Sequence, residues 1–240
     1  MPRLYVCVAL HAGTLDLPAA ARRHLQVLRL RPGDAVDLFD GGGGAWQARV
    51  LDDARVEVRG HDAVERELDL RVTLALAMPA NERMDWLVEK ATELGVAQLQ
   101  PLQSARSVLR LHGERAQRRR AHWQAIAEAA CTQCGRNRLP QVLPVRAFDD
   151  WLAALPAHRP EQARCLLAAP AQGRAPAYAA WSAGLGAVAE VLALSGPEGG
   201  LDADEIARAQ SSGFAPVSLG PRVLRAETAP LALLAALAVR

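Results

Sequence analysis

The sequence contains few aromatic residues. Phenylalanine, tyrosine and tryptophan make up 4% of the 240 residues, whereas hydrophobic residues of all kinds make up 50%. The core must therefore be built mainly from leucine, valine and alanine. Lysine is almost absent as well: Lys90 is the only one, and every other basic side chain is an arginine. A biased genome composition would produce this pattern, but arginine also binds phosphate groups through its planar fork of donors.

A strong net charge and long hydrophobic runs are also missing. The formal charge is +2, so composition alone does not indicate a nucleic-acid-binding protein. The apolar run at 230–239 is too short to span a bilayer, and His11 and Asp16 follow the first apolar residues too soon for a signal peptide. The few cysteines fit reduced thiols: Cys7, Cys131, Cys134 and Cys165. These absences predict a cytoplasmic protein without a membrane partner.

Several ligand-binding motifs are absent too. The dinucleotide fingerprint GxGxxG and the P-loop pattern GxxxxGK(S/T) do not occur, which argues against nicotinamide and P-loop enzymes. Cys131 and Cys134 form a single CxxC pair, but zinc usually needs four ligands and no second pair exists. We therefore expect no metal and a structural role for the pair at the end of a helix. A thioredoxin-like redox site is the alternative.

Short strand-like segments dominate the first part of the chain. Four segments alternate between apolar and polar side chains: residues 4–10, 36–39, 45–51 and 55–59. Glycine or aspartate turns separate the last three, and a helix is predicted over 18–30. Several short strands at this spacing predict a small β-barrel domain at residues 1–70.

Strands and helices alternate in the remainder of the chain. The apolar run Leu70–Ala77 is typical of a strand buried in a parallel sheet, and Asn81 is placed to cap a helix that ends before Gly95. Further strands are predicted at 96–102, 139–145, 164–168, 188–194 and 216–219. Further helices are predicted at 114–134, 150–155, 176–183, 202–211 and 226–239. This alternation predicts a parallel α/β sheet in a second domain at residues 71–240.

Two of the predicted strands end in glycine-bearing loops. Residues 191–194 lead into the loop Ser195–Gly200, and residues 216–219 lead into Gly220–Arg222. Open α/β sheets bind ligands outside the carboxyl ends of their strands, and glycine lets the backbone approach a ligand closely. Without a phosphate motif, such loops suit a ligand that is recognised by backbone N–H and C=O groups, such as a nucleoside with an amino-acid tail. A tight turn without a ligand is the alternative for Ser195–Gly200.

A run of arginines marks the long predicted helix. The basic residues of this region are Arg115, Arg118, Arg119, Arg120, Arg136 and Arg138, and Arg22 adds a further one in the first domain. One interpretation is a phosphate-binding stripe for nucleic acid, which the interleaved Trp123 supports. A solvated helix face is the other.

Six segments occur in an order that resembles a known family. They are Pro2-Arg3, HLQVLRLRPGD (24–34), EKATELGV (89–96), CGRNR (134–138), LSGPEGG (194–200) and LGPRVLRAETA (219–229). Together they span essentially the whole chain and look like the bacterial ribosomal RNA small-subunit methyltransferase E family, within the knotted SPOUT superfamily. The last two segments are specific as a pair. The sequence departs from the family at Cys131, where a charged or polar residue is expected.

The resemblance implies a fold, a cofactor and partners. It implies a PUA-like N-terminal barrel that helps to hold RNA, and a C-terminal α/β domain with a deep trefoil knot that binds S-adenosylmethionine. It implies a homodimer that methylates N3 of a uridine in 16S rRNA of the small ribosomal subunit, near position 1498. The helix at 226–239 would then line the dimer interface or pack the knot. The RNA-binding candidates are Arg3, Arg22, Arg115, Arg118, Arg119 and Arg136.

The resemblance also assigns the two glycine loops to the cofactor. The predicted cofactor contacts are Leu194, Ser195, Gly196, Pro197, Gly199, Gly200, Leu219, Gly220, Arg222 and Leu224. Two other functions stay open. One is a SPOUT 2′-O-ribose RNA methyltransferase, and the other is a non-catalytic RNA-binding factor for ribosome assembly with a degenerate cofactor site.

The chemistry narrows the catalytic candidates. N3 of uracil carries a proton and is a poor nucleophile at neutral pH, so the enzyme must remove that proton or stabilise the uracil anion. An arginine can stabilise the anion at O2 or O4, and a carboxylate can accept the proton. The candidates are Arg225, Glu198 and Arg222, with Glu227 close by. The structural alternatives are charge pairing with a helix start for Glu198 and an ion pair between Arg225 and Glu227.

Overall fold

The computed structural model describes residues 1–80, 82–168, 175–186 and 188–240. The predicted helix cap Asn81 lies outside the described residues. The chain forms two compact units, which comprise residues 1–67 with 128–139 and residues 68–127 with 140–240.

A five-stranded sheet forms the first unit. Its strands are β1 (Arg3–Tyr5), β2 (Gly13–Asp16), β3 (Ala35–Phe39), β4 (Ala45–Val50) and β5 (Arg55–Asp62), in the spatial order β1-β3-β4-β5-β2. Only the β1–β3 pair is parallel within this sheet as the structure describes it. Val36 and Leu38 of β3 form one hydrophobic cluster with Ala21 and Leu25 of the helix α1 (Ala19–Val27).

The beginning of this unit differs from the expected strand at 4–10. The chain leaves the sheet after Val6, whose N–H donates to the carbonyl of Phe39 at 3.0 Å, and Val8 is exposed. The strand β2 was not predicted. It pairs with β5, with Gly13 opposite Val58, but three of its four residues are exposed, so it lacks the apolar alternation by which a strand is found.

A parallel sheet forms the second unit. Its strands are β6 (Arg71–Ala77), β7 (Gln98–Gln103), β8 (Gln141–Val142), β9 (Arg146–Ala147), β10 (Gln162–Leu167), β11 (Glu190–Ser195) and β12 (Ala215–Val217). They lie in the order β12-β10-β11-β6-β7-β8, and β9 also pairs with β7. Each of these pairings is parallel, which confirms the predicted α/β architecture.

The remaining helices are α2 (Glu82–Glu93), α3 (Gly113–Cys134), α4 (Phe148–Ala153), α5 (Tyr178–Ala183), α6 (Ala203–Ser211) and α7 (Thr228–Ala238). None of the helices in the described part of the chain has the length and hydrophobicity of a membrane span.

Helices cover both faces of the parallel sheet. Leu74 and Leu76 of β6 belong to one hydrophobic cluster together with Leu87 of α2 and Leu234 of α7. Ala75, between them in sequence, belongs to a second cluster with residues of α4 and α6. Because successive side chains of a strand point to opposite faces, β6 must be apolar on both sides, and its sequence RVTLALA satisfies this.

The expected strand at 139–145 is interrupted. It is replaced by β8 and β9, which pair with successive parts of β7. Pro144 lies between them, and proline has no N–H to donate to a sheet.

Candidate active site

The carboxyl ends of three neighbouring strands surround a cavity of about 530 Å³ in the second unit. Leu166 and Leu167 of β10 form part of its wall, and the loops after β11 and β12 form most of the rest. Ligands of α/β sheets bind at this edge. The predicted cofactor residues that line the cavity are Ser195, Gly196, Pro197, Gly199, Gly200, Leu219, Gly220, Arg222 and Leu224. Leu194 is different: it is fully buried in the hydrophobic core.

The loop after β11 makes a turn that leaves no space for a side chain at its first glycine. A Cβ on Gly196 would lie 3.0 Å from the backbone nitrogen of Leu201 and 3.2 Å from the carbonyl carbon of Gly200. The N–H of Gly200 donates to the carbonyl of Pro197 at 2.8 Å and closes the turn. The backbone of this loop therefore runs along the cavity wall in a tightly constrained path.

The start of α6 anchors the far end of this loop. Asp202 accepts the N–H of Glu205 at 2.7 Å, and the Glu205 carboxylate accepts the N–H of Asp202 at 3.0 Å, which is a reciprocal capping box. Glu205 is buried and also accepts the N–H of Ala105 at 2.7 Å. The next residue, Arg106, donates Nη1 to the carbonyl of Gly199 at 3.0 Å. Sequence reasoning had not singled out the segment after β7.

Glu198 binds the segment after β6. Its Oε1 accepts the N–H of Ala80 at 3.0 Å and Nη1 of Arg83 at 3.1 Å, whereas the start of α6 is capped by Asp202. Arg83 lines the cavity, and sequence reasoning missed it. The available signal was its position just beyond the end of the buried strand β6, at the edge where the glycine loops lie.

Glu227 is a second carboxylate beside Arg83. Its Oε1 lies 3.9 Å from Nε of Arg83, and the residue is 7% exposed. Its Oε2 is buried and has no hydrogen-bond partner in the part of the chain that the structure describes. Arg83 therefore lies between one carboxylate from the loop after β11 and another from the segment after β12.

The loop after β12 is more open. Gly220 has φ of 110°, and a Cβ there would meet nothing within 4 Å. Arg222 and Arg225 are exposed and line the cavity. Among the described residues neither forms an ion pair, so the Arg225–Glu227 pair is not formed and Glu227 lies beside Arg83 instead. Both side chains are therefore exposed at the cavity without an ion pair in the described part of the chain.

Comparison with known proteins identifies the family. The model of an RNA methyltransferase domain matches residues 66–238, and that of an RNA methyltransferase PUA domain matches residues 17–59. The ribosomal RNA small subunit methyltransferase E of Bacillus subtilis is 35% identical over 175 residues, which cover 72% of this chain and 67% of that protein. That of Synechocystis sp. is 35% identical over 225 residues, which cover 92% of this chain and 72% of that protein. The chain belongs to the ribosomal RNA small subunit methyltransferase E family.

Solved structures agree with this family. The methyltransferase E of Neisseria gonorrhoeae, in a crystal structure bound to S-adenosyl methionine, is 41% identical, with a TM-score of 0.88 over 98% of this chain and 96% of that chain. A Legionella pneumophila protein solved with bound SAM is 30% identical, with a TM-score of 0.90 over 99% and 97% of the two chains. The predicted family, α/β fold and PUA-like N-terminal domain are thus confirmed, whereas the trefoil knot stays a prediction.

In this family member, the RNA-binding candidates of the first unit lie in different environments. The Arg3 guanidinium donates to the carbonyl of Arg136 at 3.1 Å and to Oδ1 of Asn137 at 2.8 Å. Arg136 is 3% exposed and forms an ion pair with Glu67. Both arginines therefore contribute to the packing of the first unit. Because Arg136 is buried, a phosphate could not reach its guanidinium group. Arg22 is exposed on α1.

The candidates on α3 also differ from one another. Arg115 and Arg118 are exposed, and Arg118 lies 3.5 Å from Glu114. Arg119 is half-buried, with its Nη1 4.0 Å from the carboxylate of Asp85. Trp123 is fully buried and donates its Nε1–H to Asp85 at 2.9 Å. The expectation that Trp123 supports a nucleic-acid surface is therefore wrong, because its ring belongs to the core.

The CxxC pair lies at the end of α3. Cys131 is buried, with its Sγ 3.6 Å from the carbonyl of Arg138, and burial raises the pKa of its thiol to about 12. Cys134 Sγ lies 4.0 Å from the carbonyl of Cys131. A thiol with such a pKa stays protonated and unreactive near neutral pH. These contacts support a structural role for the pair.

Proposed function

We propose that this chain transfers a methyl group from S-adenosylmethionine to N3 of a uridine in the 16S rRNA of the small ribosomal subunit. The observation that carries the proposal is the cavity at the ends of β10, β11 and β12. Its glycine loops belong to a chain that is 41% identical to a methyltransferase solved with S-adenosyl methionine.

The cavity residues fit this cofactor. A volume of about 530 Å³ lies in the range of small-molecule sites. Leu166, Leu219 and Leu224 offer apolar surface to a base, and the constrained backbone after Ser195 offers N–H and C=O groups at close range. S-adenosylmethionine supplies the methyl group as an electrophilic sulfonium. The chain has to hold the uracil in line with it and to stabilise the charge that develops on the base.

Arg225 is the proposed stabiliser of that charge. Its guanidinium is exposed at the cavity and has no acidic partner among the described residues, so it can donate to O2 or O4 of the base. Stabilising the anion lowers the pKa of N3–H and so favours transfer of the N3 proton to solvent. Arg222 lies in the same loop and is the second candidate.

Glu198 is better suited to positioning than to proton transfer. Its Oε1 already accepts hydrogen bonds from Ala80 and Arg83. We therefore propose that Glu198 holds the loop after β11 against the segment after β6.

RNA contact is proposed for both units. The PUA match at residues 17–59 contains the exposed Arg22. In the second unit, Arg115 and Arg118 are exposed on α3 and Arg119 is partly so. Arginines that neutralise phosphates release counterions, so RNA binding should weaken as salt increases.

Self-association through α7 is also proposed. This helix is apolar on all sides: Leu231, Leu233 and Leu234 are buried, whereas Ala232 and Ala236 are partly exposed. A helix that is hydrophobic all round is normally covered on all sides. The substitution Ala236→Glu should convert a dimer into a monomer in sedimentation analysis, and an unchanged mass would contradict this interface.

One pair of measurements tests the function. Calorimetry should show that the purified chain binds S-adenosylmethionine. Nucleosides of 16S rRNA from a deletion strain should lack 3-methyluridine, and incubation with the chain and cofactor should restore it. Restoration of a 2′-O-methylated nucleoside would favour the ribose methyltransferase instead. Absence of cofactor binding would favour the non-catalytic assembly factor.

A further inference from the structure

A second cavity of about 320 Å³ lies in the same unit. It is lined by Ala80, Val108, Leu109, Arg110 and Arg115. Ala80 also donates its N–H to Glu198, which lines the first cavity. The hydrogen bond between Ala80 and Glu198 therefore connects the lining of the second cavity with the lining of the proposed cofactor site.

The lining of this second cavity is cationic. It contains two arginines and no carboxylate, and in the described part of the chain neither arginine forms an ion pair. On the neighbouring helices, Glu114 lies 3.5 Å from Arg118 and Asp85 lies 2.9 Å from His122, whereas Glu82 is exposed in the first turn of α2. None of these three carboxylates lines the cavity, so its lining carries the charge of Arg110 and Arg115 without a compensating acid.

The same cavity has an apolar side. Leu109 is buried, whereas Val108 is 75% exposed, which is unusual for a large hydrophobic side chain. An anion site beside exposed apolar surface suits a nucleotide, whose phosphate carries the charge and whose sugar and base are less polar. Inorganic phosphate would use only the arginines.

Hydrogen bonds connect the segment that carries most of the second cavity. Nη2 of Arg110 donates to the carbonyl of Ala105 at 2.8 Å, and the N–H of Ser104 donates to Oγ of Ser107 at 3.0 Å. Arg106 of the same segment donates to the carbonyl of Gly199 in the loop after β11. A group bound at Arg110 is therefore held at a defined place relative to the cofactor loop.

We propose that this second cavity binds a phosphodiester of the RNA substrate, close to the nucleotide that receives the methyl group. The inference rests on the proposed function, because it takes the RNA substrate from it. It distinguishes Arg110 and Arg115, which line the cavity, from Arg118, which does not.

Salt-dependent binding of a short fluorescent oligouridylate tests the site. Arg110→Ala and Arg115→Ala should each weaken binding and reduce the slope of log affinity against log salt by about 0.7. Arg71→Ala is the matched control, because Arg71 is exposed at the opposite, amino-terminal end of β6. Arg118 is itself a proposed RNA contact, so its variant is no control for the cavity. Slopes of Arg110→Ala and Arg115→Ala that equal the slope of Arg71→Ala would overturn the cavity proposal.

A pair of variants of nearly the same shape isolates the charge. Val108 is exposed, so Val108→Asp and Val108→Asn should both fold. The aspartate should weaken oligouridylate binding by about fivefold relative to the asparagine, because it adds a negative charge beside the phosphate. Equal affinities would count against the site.

Failure of this inference can be told apart from failure of the proposed function. If the wild-type chain binds S-adenosylmethionine and methylates 16S rRNA while the cavity variants keep full RNA affinity, the inference is wrong and the function stands. If the cavity variants lose RNA affinity but the wild type binds no S-adenosylmethionine, the RNA site stands and the proposed function is wrong.

Discussion

The two loops that form the candidate active site are held in different ways. The loop after β11 is fixed from three directions, since Glu198 binds Ala80 and Arg83, the carbonyl of Gly199 accepts from Arg106, and a capping box follows. The loop after β12 has fewer contacts. Ser218 Oγ accepts the N–H of Gly220 at 3.3 Å, and Val223 is 77% exposed.

This difference suits two separate functions, which are binding of the cofactor and action on the substrate. A binding loop gains affinity when its backbone is fixed in advance, because less conformational entropy is lost when the ligand binds. A loop that carries a charge to the substrate has to let the substrate enter and leave. We therefore expect damage to the loop after β11 to affect cofactor binding, and damage to the loop after β12 to affect turnover.

The largest expected effect is on turnover, from Arg225→Ala. Removing one charged donor that acts on the developing anion should lower kcat by about 100- to 1000-fold, with the dissociation constant of S-adenosylmethionine little changed. Raising the pH should restore part of the activity, because solvent then supplies more uracil anion. Steady-state kinetics and calorimetry on the same preparation measure both quantities.

A conservative variant sharpens this test. Arg225→Lys keeps the charge but loses the planar fork, so its activity should lie between those of the wild type and the alanine variant. Wild-type turnover of a folded Arg225→Ala variant would contradict the assignment and make Arg222 the next candidate.

The next largest effect is expected in the fixed loop, from Gly196→Val. A Cβ at this position would approach Leu201 N to 3.0 Å, and relief of such overpacking typically costs about 1–3 kcal/mol. Cofactor affinity should fall by about 100-fold, which calorimetry would detect. Gly60→Val is the control, because the nearest atom to a Cβ there is 3.9 Å away. If Gly196→Val does not fold, Gly196→Ala adds a smaller side chain at the same position. Unchanged cofactor affinity in either variant would argue against a preformed loop.

Much of this site could be predicted from the sequence because each strand and the loop after it are formed by consecutive residues. Apolar runs followed by glycines located the ends of β11 and β12, and the alternation of strands and helices predicted that these ends share one edge of a parallel sheet. The loops therefore came together as expected at the first cavity.

The contacts that hold the loops could not be predicted in this way. Arg83 and Glu198 are 115 positions apart, and Arg106 and Gly199 are 93 apart. They meet because β11 lies beside β6 and β6 beside β7, and a pattern of apolar residues does not reveal strand order. A Cβ at position 199 would contact Arg106 at 3.4 Å, an ordinary van der Waals distance, so the expectation that glycine is needed there for a ligand stays a prediction.

A smaller effect is expected from Arg83→Gln. This change removes the cation that lies between two carboxylates. Nη1 of Arg83 is 3.1 Å from Oε1 of Glu198, and Nε of Arg83 is 3.9 Å from Oε1 of Glu227. Because the Arg83 side chain is 45% exposed, the pair with Glu198 should contribute no more than about 1 kcal/mol, so cofactor affinity should fall by about fivefold. Arg208→Gln removes a comparable ion pair with Asp149 outside the cavity and should leave affinity unchanged. Equal affinities of the two variants would show that Arg83 does not hold the loop.

The smallest effect is expected from Gly220→Ala in the open loop. No atom lies within 4 Å of the added Cβ, so the only penalty is the φ of 110°, which L residues rarely adopt. That penalty is about 1 kcal/mol, and it should lower Tm by about 2–4 °C. Gly33→Ala carries the same kind of penalty, with φ of 95° and open space, away from the cavity lining. If the loop after β12 is as open as its contacts indicate, both variants should lose similar stability, and cofactor affinity should change by less than in Arg83→Gln. A loss of cofactor affinity in Gly220→Ala as large as that in Gly196→Ala would mean that the bound cofactor fixes the loop after β12 as firmly as neighbouring segments fix the loop after β11.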